Sequence, residues 1–267
     1  MHFSKTRIAP TPSGYLHLGN AYSFVLTAQL AKRYGARILL RLDDLDRGRV
    51  NKDYVQDVFD TLDFLNIDYH EGPHNLLEYE NEWSQVHRIN IYQTYLDQLR
   101  DEKLVYTCVC SRTQITDCTC RDKNLPLDTP EANWRLMTAD KSVTIKTLNA
   151  GLVTATLPED MHDFVVRKKD GYPAYQLASL VDDLYFSIDL IVRGQDLWAS
   201  TIAQCYLAQV LGKTDFQNIT FHHHPLLMES GDKKLSKSAG ATSIKYLREH
   251  GKTVADIFAQ IEKLTKF

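Results

Sequence analysis

The sequence predicts an α/β fold in which helices cover a parallel sheet. Three observations support this prediction. Strand-like and helix-like segments alternate along the first hundred residues, the alternation resumes near residue 173, and a turn rich in proline and glycine joins the first strand to the first helix. Strand–helix–strand alternation is typical of βαβ units with parallel strands. The 267 residues are enough for one large domain or two modest ones with a full hydrophobic core.

Two short buried strands and three helices are predicted in the N-terminal part, residues 1–103. Residues 6–9 and 37–42 have the apolar character of buried strands, and the acidic run 43–46 ends the second. Apolar residues at helical spacing predict helices around residues 21–31, 55–65 and 86–99. Gly35 is the expected C-cap of the first helix.

Residues 104–172 differ from their flanks, because they hold four of the five cysteines, several prolines and strand-like runs at 142–145 and 164–167. We interpret this segment as an insertion between two halves of one α/β domain, 1–103 and 173–240. In the second half, the sequence pattern predicts helices at 174–181 and 201–211 and strands at 189–193 and 218–221. The tail, residues 241–267, predicts two helices, at 243–248 and 254–264, the second preceded by a near capping box of Thr253 and Asp256.

The composition is that of an ordinary soluble protein, with 43% hydrophobic residues, 24% charged residues and a net charge of −3. We find neither an apolar run long enough to span a membrane nor a secretory signal, so we expect a cytoplasmic protein without membrane contact. The small negative charge argues against a general nucleic-acid coat, so any contact with nucleic acid must be local.

The segment TPSGYLHLGN, at residues 11–20, joins the first strand to the first helix. This junction binds nucleotides in many α/β folds, because a helix N-terminus presents free N–H groups and a positive dipole to phosphate. His17 is placed to donate a hydrogen bond to a phosphate whose charge grows in a transition state, and Gly19 would let a nucleotide approach the backbone. The alternative is that His17 caps the helix at the surface and Gly14 is a plain turn.

A second motif, KLSKS at residues 234–238, lies between Gly231 and Gly240. Two lysines three positions apart on a glycine-hinged loop suit a mobile clamp on the triphosphate of ATP. The alternative is a solvated basic loop.

Taken together, HLGN and KLSKS resemble the HIGH and KMSKS signatures of class I aminoacyl-tRNA synthetases. Four further segments are similar to the glutamyl branch of that family: RIAPTPSG at 7–14, LRLDDLDR at 40–47, YPAYQLASLVDD at 172–183 and IVRGQDL at 191–197. The resemblance covers essentially the whole chain. It implies a ligase with a Rossmann-like class I synthetase catalytic domain, an inserted zinc-binding subdomain and a short helical tail.

The chain ends about thirty residues after KLSKS, so we expect no anticodon-binding domain. In this respect it resembles the short members of the glutamyl branch, which activate glutamate with ATP and transfer it to queuosine, the modified wobble base of tRNA(Asp). The partners implied are glutamate, ATP and the anticodon loop of tRNA(Asp), read as single-stranded RNA by a monomer. Three alternatives stay open: a minimal synthetase that charges the 3′ end of tRNA(Glu), a nucleotidyltransferase that adenylates a small acid, and an RNA-binding module with an inactive synthetase body.

The resemblance also implies roles for individual residues. Arg7 and Arg193 would pair with carboxylates of glutamate through their bidentate guanidinium groups. Asp43 stands where the family has a glutamate that holds the substrate ammonium, although Asp43 and Asp44 could instead form an ordinary turn or a Mg²⁺ pair. The amino-acid pocket would comprise Arg7, Ala9, Thr11, Asp43, Tyr175 and Arg193. The ATP site, with Mg²⁺ accompanying ATP, would comprise the catalytic residues His17 and Lys237 together with Gly19, Asn20, Asp196, Leu227 and Lys234.

The cysteines Cys108, Cys110, Cys118 and Cys120 form a C-x-C pair repeated after seven residues. Four thiolates bind Zn²⁺ tetrahedrally and leave no position for water, so the predicted role is structural. Short glutamyl enzymes carry C-x-C, then a tyrosine and a cysteine, as zinc ligands, and Cys118 replaces that tyrosine. The alternative is four free thiols in a reducing cytosol. The lone Cys205 and the triplet at residues 222–224 (HHH) are interpreted as structural.

Overall fold

The computed structural model describes residues 1–111, 114, 118–227 and 243–265. Lys234 and Lys237, and the whole KLSKS segment, lie outside the described residues. The chain forms two compact units. The first comprises Met1–His87, Ile188–Leu197 and Thr220–Phe267, and the second comprises Arg88–Ser187 and Trp198–Ile219.

A parallel sheet with the strand order β2-β1-β8-β9 forms the centre of the first unit. Its strands are β1 (Lys5–Ile8), β2 (Arg37–Leu40), β8 (Leu190–Gly194) and β9 (Thr220–His224). Strands β1, β2 and β8 are mostly buried; Leu39, Leu40 and Ile191, for example, are fully inaccessible. Burial on both faces explains why β2 and β8 contain continuous apolar runs rather than alternating ones. The predicted parallel α/β sheet is confirmed.

Helices precede and follow these strands in the first unit. They are α1 (Leu18–Tyr34), α2 (Lys52–Phe64), the single turn α3 (Leu76–Glu78), α8 (Ile244–Glu249) and α9 (Val254–Thr265). Gly35 ends α1 in the left-handed conformation, with φ of 73°, as predicted. Thr253 and Asp256 exchange hydrogen bonds in the first turn of α9, which confirms the capping box.

The second unit combines two antiparallel sheet segments with helices. Strands β3 (Val105–Cys108), β4 (Asn133–Leu136) and β7 (Val165–Arg167) pair in the order β3-β4-β7, while β5 (Ser142–Thr147) and β6 (Gly151–Thr156) form a hairpin. The helices are α4 (Ile89–Asp101), α5 (Tyr175–Tyr185), α6 (Trp198–Val210) and the single turn α7 (Thr214–Gln217). A buried ion pair ties α5 to the residue before α4, since both oxygens of Asp182 accept from the Arg88 guanidinium, at 2.8 and 3.0 Å.

Several predicted boundaries differ from the structure. The third predicted helix starts at Ile89 rather than at 86, because residues Gln85–Arg88 form a 3₁₀ turn. The strand predicted at 218–221 is β9, which starts at Thr220 because Asn218 still has helical backbone angles at the end of α7. The runs at 142–145 and 164–167 correspond to β5 and β7. Among the described residues, none of the helices is both long and apolar enough to cross a bilayer.

Candidate active site and metal centre

The N-terminus of α1 is capped by His17. Its Nδ1 accepts the Gly19 N–H at 3.0 Å, and the side-chain oxygen of Asn20 accepts the His17 N–H at 3.0 Å, so the two side chains form a reciprocal capping box. Because Nδ1 is the acceptor, the neutral imidazole carries its proton on Nε2. The capping role that the sequence left as an alternative is therefore observed. It is compatible with catalysis, since it orients an N–H donor beside a helix N-terminus.

Gly19 is needed because of the His17 ring. A β-carbon at position 19 would lie 2.9 Å from Cε1 and 3.0 Å from Nδ1 of His17, closer than side chains normally approach. The glycine therefore makes room for the capping imidazole, a reason that the sequence motif alone did not give.

Two buried arginines lie on the same face of the parallel sheet. Arg7 on β1 is 5% exposed and Arg193 on β8 is 4% exposed. The register between β1 and β8 places Arg7 level with Ile191, two positions before Arg193, and side chains two apart on a strand share a face. Both arginines lie near the carboxyl ends of their strands, where α/β sheets bind ligands.

The pKa of His223 is sensitive to the positive charge on this face of the sheet. It is the register partner of Arg193 on the neighbouring strand. Burial, together with the nearby charges of Arg193 and Arg7 and of the two neighbouring histidines, lowers the pKa of His223 to about 3. The side chain is therefore neutral at physiological pH. Two buried guanidinium groups are an electrostatic environment suited to an anionic ligand.

The other two histidines of the triplet point to the opposite face. His224 packs edge-on against Tyr22 of α1, with ring centroids 4.7 Å apart, and burial lowers the pKa of both His222 and His224. Within the described residues, the triplet is not part of a group of three side chains that could hold a metal ion. The packing of His224 against Tyr22 agrees with the structural interpretation of the triplet.

Asp43 is buried beside Arg41. The guanidinium of Arg41 donates to both carboxylate oxygens of Asp43, at 2.7 and 3.2 Å. A substrate ammonium at Asp43 would therefore have to share this carboxylate with Arg41. Arg41 was not among the predicted site residues, although its position directly after a buried strand and two residues before Asp43 was a usable signal.

Asp44, the neighbour of Asp43, is fully buried and has a structural role. Its carboxylate accepts from the Tyr79 hydroxyl at 2.7 Å, the Gln85 N–H at 2.8 Å, the Ser84 hydroxyl and the Arg47 guanidinium. These donors occupy the lone pairs that a Mg²⁺ ion would need. The environment of Asp44 therefore favours the structural turn over the Mg²⁺ pair that the sequence left open.

The remaining predicted residues are distributed as follows. In the first unit, Ala9 is half-buried, Thr11 and Asp196 are exposed, and Leu227 is buried. In the second unit, Tyr175 begins α5 and is 42% exposed, so it is not a core residue. Gly194 was not singled out from the sequence, yet a β-carbon there would lie 2.5 Å from Oδ1 of Asp196. A side chain at position 194 would thus displace Asp196.

The four clustered cysteines of the second unit come together as predicted. All are free thiols, and their sulfurs lie within 4.8 Å of one another. The sulfur–sulfur distances are 3.7 Å between Cys108 and Cys118, and 3.6 Å from Cys110 to both Cys118 and Cys120. A tetrahedron with zinc–sulfur bonds of about 2.3 Å has edges of about 3.8 Å, so the sulfurs have the spacing of a tetrahedral thiolate site.

The thiols also influence one another's ionisation. A hydrogen bond to Cys120, burial and the charges of neighbouring sulfurs raise the pKa of Cys110 to about 12. Four sulfurs this close cannot all become thiolates unless a cation compensates their charge. Cys205 is buried on α6, away from this cluster in sequence, as expected for a core residue.

The chain is similar to known proteins in sequence and in fold. The profile described as "tRNA synthetases class I (E and Q), catalytic domain" matches residues 4–135 and 131–265. A Glutamate–tRNA ligase 2 of Syntrophus aciditrophicus is 30% identical over 92% of this chain and 54% of the relative. A Glutamyl-Q tRNA(Asp) synthetase of Deinococcus radiodurans is 32% identical over 96% of this chain and 86% of the relative. The chain thus spans about half the length of the Glutamate–tRNA ligases that it matches.

Solved structures share the fold at lower sequence identity. A Glutamate-tRNA Synthetase from Elizabethkingia anophelis superposes with a TM-score of 0.73 at 22% identity, over 93% of this chain and 54% of that one. Methionyl-tRNA synthetase from Mycobacterium tuberculosis, in complex with methionyl-adenylate, gives a TM-score of 0.57 at 13% identity, over 98% of this chain and 64% of that one.

Proposed function

The chain belongs to the family of class I tRNA synthetases for glutamate and glutamine, and from this premise we propose that it activates glutamate with ATP and transfers the glutamyl group to queuosine in tRNA(Asp). One observation carries the proposal. Two buried arginines, Arg7 and Arg193, lie on one face of the parallel sheet near its carboxyl edge, the edge at which the loop to the His17-capped helix begins. Such an edge can take a substrate carboxylate and nucleotide phosphates together.

In the activation step, an oxygen of the glutamate α-carboxylate attacks the α-phosphorus of ATP. The bond from that phosphorus to the pyrophosphate oxygen breaks, which yields glutamyl-adenylate and pyrophosphate. The Nε2–H of His17, beside the positive end of the α1 dipole, would donate to a phosphate oxygen as charge builds on it. Arg7 and Arg193 would hold the substrate's carboxylates, so the enzyme contributes position and charge without forming a covalent bond.

Lys237 and Lys234 complete the proposed ATP site as cations for the phosphates. Mg²⁺ would arrive with ATP and neutralise phosphate charge, and no carboxylate of this chain is assigned to it. In the transfer step, a hydroxyl of the acceptor attacks the carbonyl carbon of the mixed anhydride and AMP leaves. A cytoplasmic location, with reduced thiols and tRNA at hand, fits both steps.

The cysteine cluster is proposed to hold a structural Zn²⁺ ion. The sulfur spacing of 3.6 to 3.7 Å agrees with a tetrahedral thiolate site, and the donor set leaves no position for substrate. Bound zinc would cross-link the end of β3 to the turn at Cys120–Lys123 and take no part in the reaction.

Queuosine as the acceptor is supported by the 32% identity to the Glutamyl-Q tRNA(Asp) synthetase of Deinococcus radiodurans over 96% of this chain. The second candidate is aminoacylation of the 3′ end of tRNA(Glu), which is supported by the same catalytic residues and by the 32% identity to the Glutamate–tRNA ligase of Myxococcus xanthus.

Activation is tested by ATP–pyrophosphate exchange with each amino acid, with and without tRNA. We expect exchange with glutamate in the absence of RNA. Replacing Arg193 with methionine removes one partner of a buried charge contact and should lower kcat/KM for glutamate by about a hundredfold or more. The control is Arg33→Met, which removes an exposed arginine from α1. Exchange with another amino acid only, or with none, would contradict the proposal.

The acceptor is tested with two altered forms of tRNA(Asp). One lacks the 3′-terminal adenosine, and the other carries guanine in place of queuosine. Transfer to queuosine predicts that the first form is glutamylated and the second is not. The opposite result, or glutamylation of tRNA(Glu) alone, would support the second candidate.

A further inference from the structure

Asp57 of helix α2 accepts a hydrogen bond from the backbone of Leu16, the residue directly before His17. Its side chain is 1% exposed, and Oδ2 accepts the Leu16 N–H at 2.9 Å. We propose that Asp57 is a positioning residue that fixes the His17 cap for adenylate formation and couples it to the helical tail. The inference deepens the proposed function and rests on it for the catalytic readout.

Leu16 is held from two sides. While Asp57 takes its N–H, the Leu16 carbonyl accepts the N–H of Ile244, the first residue of α8, at 2.7 Å. His17 itself forms an isolated antiparallel bridge with Ser243. Both backbone hydrogen-bonding groups of Leu16 are thus satisfied by other elements, and the Leu16 side chain is buried. This fixes the point from which the His17 ring reaches over Gly19.

The tail supplies a charge to the same carboxylate. The guanidinium of Arg248 in α8 lies 3.4 Å from Oδ1 of Asp57 and 3.4 Å from Oδ2 of Asp60. Helix α8 therefore contacts the loop before α1 through its first N–H and contacts α2 through Arg248. Asp57 is the side chain that joins these two contacts.

A buried carboxylate is costly in this position. Burial raises the pKa of Asp57, against the opposing effects of the Leu16 N–H and the charge of Arg248. An uncharged side chain would avoid that desolvation cost, so stability alone does not favour an aspartate here. An oxygen acceptor aimed at Leu16 N–H is what the aspartate supplies.

The contact between Asp57 and Leu16 lies next to a residue assigned to ATP. His17 follows Leu16 directly, and Ser243 comes five residues after the end of the KLSKS motif. The HLGN motif therefore adjoins the backbone contact at Leu16 that Asp57 stabilises. Loss of the Asp57 acceptor should affect the rate of adenylate formation more than the binding of glutamate.

The test compares three variants in RNA-free exchange with glutamate. Asp57→Ala should lower kcat by about tenfold to a hundredfold, the usual cost of a misplaced catalytic group, while KM for glutamate stays within about twofold. Asp57→Asn keeps an oxygen acceptor for the Leu16 N–H and should recover most of the rate. Asp60→Asn removes a carboxylate that faces the same Arg248 but does not touch Leu16, and it should behave as wild type.

Two further measurements separate positioning from folding and from the proposed function. Titration of active sites by adenylate formation counts the active chains and so gives kcat per active chain. If Asp57→Ala lowers only the active fraction and leaves this kcat unchanged, Asp57 is merely structural and the inference fails. The ¹⁵N resonances of the His17 ring, assigned with His17→Gln, should move in Asp57→Ala and stay in place in Asp60→Asn. Unmoved resonances overturn the inference whatever the activity. If the wild-type chain catalyses no exchange but the resonances still move in Asp57→Ala, the positioning role is supported and the proposed function is refuted.

Discussion

His17 and Gly19 are two residues apart, and the imidazole ring of one occupies the space that a β-carbon on the other would need. The same ring accepts the Gly19 N–H, which sets its tautomer and its orientation. A single local contact therefore caps α1 and aims the Nε2–H donor. At this scale, helix capping and the proposed catalytic role are one arrangement.

Gly19→Ala should consequently act on catalysis rather than on folding. The added methyl group would displace the His17 ring, and we expect kcat for glutamate-dependent exchange to fall by about tenfold to a hundredfold. Alanine is compatible with a helix interior, so the unfolding temperature should change little. Gly48→Ala is the matched control, because nothing lies within 4 Å of a β-carbon at that position. Equal losses in both variants would contradict this account.

Adjacent aspartates show what the sequence could and could not predict about single residues. The pattern marked Asp43 and Asp44 as one acidic pair with several possible roles. The structure separates them: Asp43 pairs with Arg41, two residues away, whereas Asp44 gathers donors from Tyr79, Ser84 and Gln85, about forty residues later. Local spacing can reveal the first kind of partner. It cannot reveal the second, because that depends on how the chain folds back.

At the scale of elements, the two strands of one hairpin differ in how clearly the sequence indicates them. Strand β5 has buried Val143 and Ile145 in alternation with exposed residues, and the sequence predicts a strand-like run at 142–145. Its hairpin partner β6 is exposed or half-exposed at every position, so it has no apolar alternation to detect. Strand β6 is specified by pairing with β5 across a short turn, which is a non-local cause.

The cysteine cluster is the element whose role is most directly testable. We expect one zinc ion per chain by metal analysis, and loss of zinc in Cys108→Ser, because three thiolates leave the site open. Metal binding contributes folding free energy, so the zinc-free variant should unfold roughly 5 °C or more below wild type. Cys205→Ala should keep its zinc, since Cys205 is a buried residue of α6 outside the cluster. If the wild-type chain, purified under reducing conditions, binds no zinc, the four cysteines are free thiols and the zinc proposal is wrong.

At the scale of the whole molecule, the family, the parallel sheet and the clustering of cysteines all followed from the sequence. Each rests on signals that are repeated along the chain, namely alternating elements and collinear motifs. The charge balance is a further property of this scale. A net charge of −3 gives no long-range attraction to RNA, whereas the arginines assigned to glutamate are buried.

These two kinds of charge predict different responses to salt. Contacts with RNA phosphates release counterions, so the KM for tRNA in the transfer step should rise by about tenfold or more between 50 and 500 mM KCl. Buried charges are screened far less, and RNA-free exchange with glutamate should keep its kcat/KM within about threefold over the same range. Parallel measurements of exchange and transfer on one preparation check this. As a control for osmolarity and viscosity, sucrose replaces the added KCl. If exchange weakens as steeply as transfer, the carboxylate of glutamate is bound by exposed cations, and Arg7 and Arg193 are not its partners.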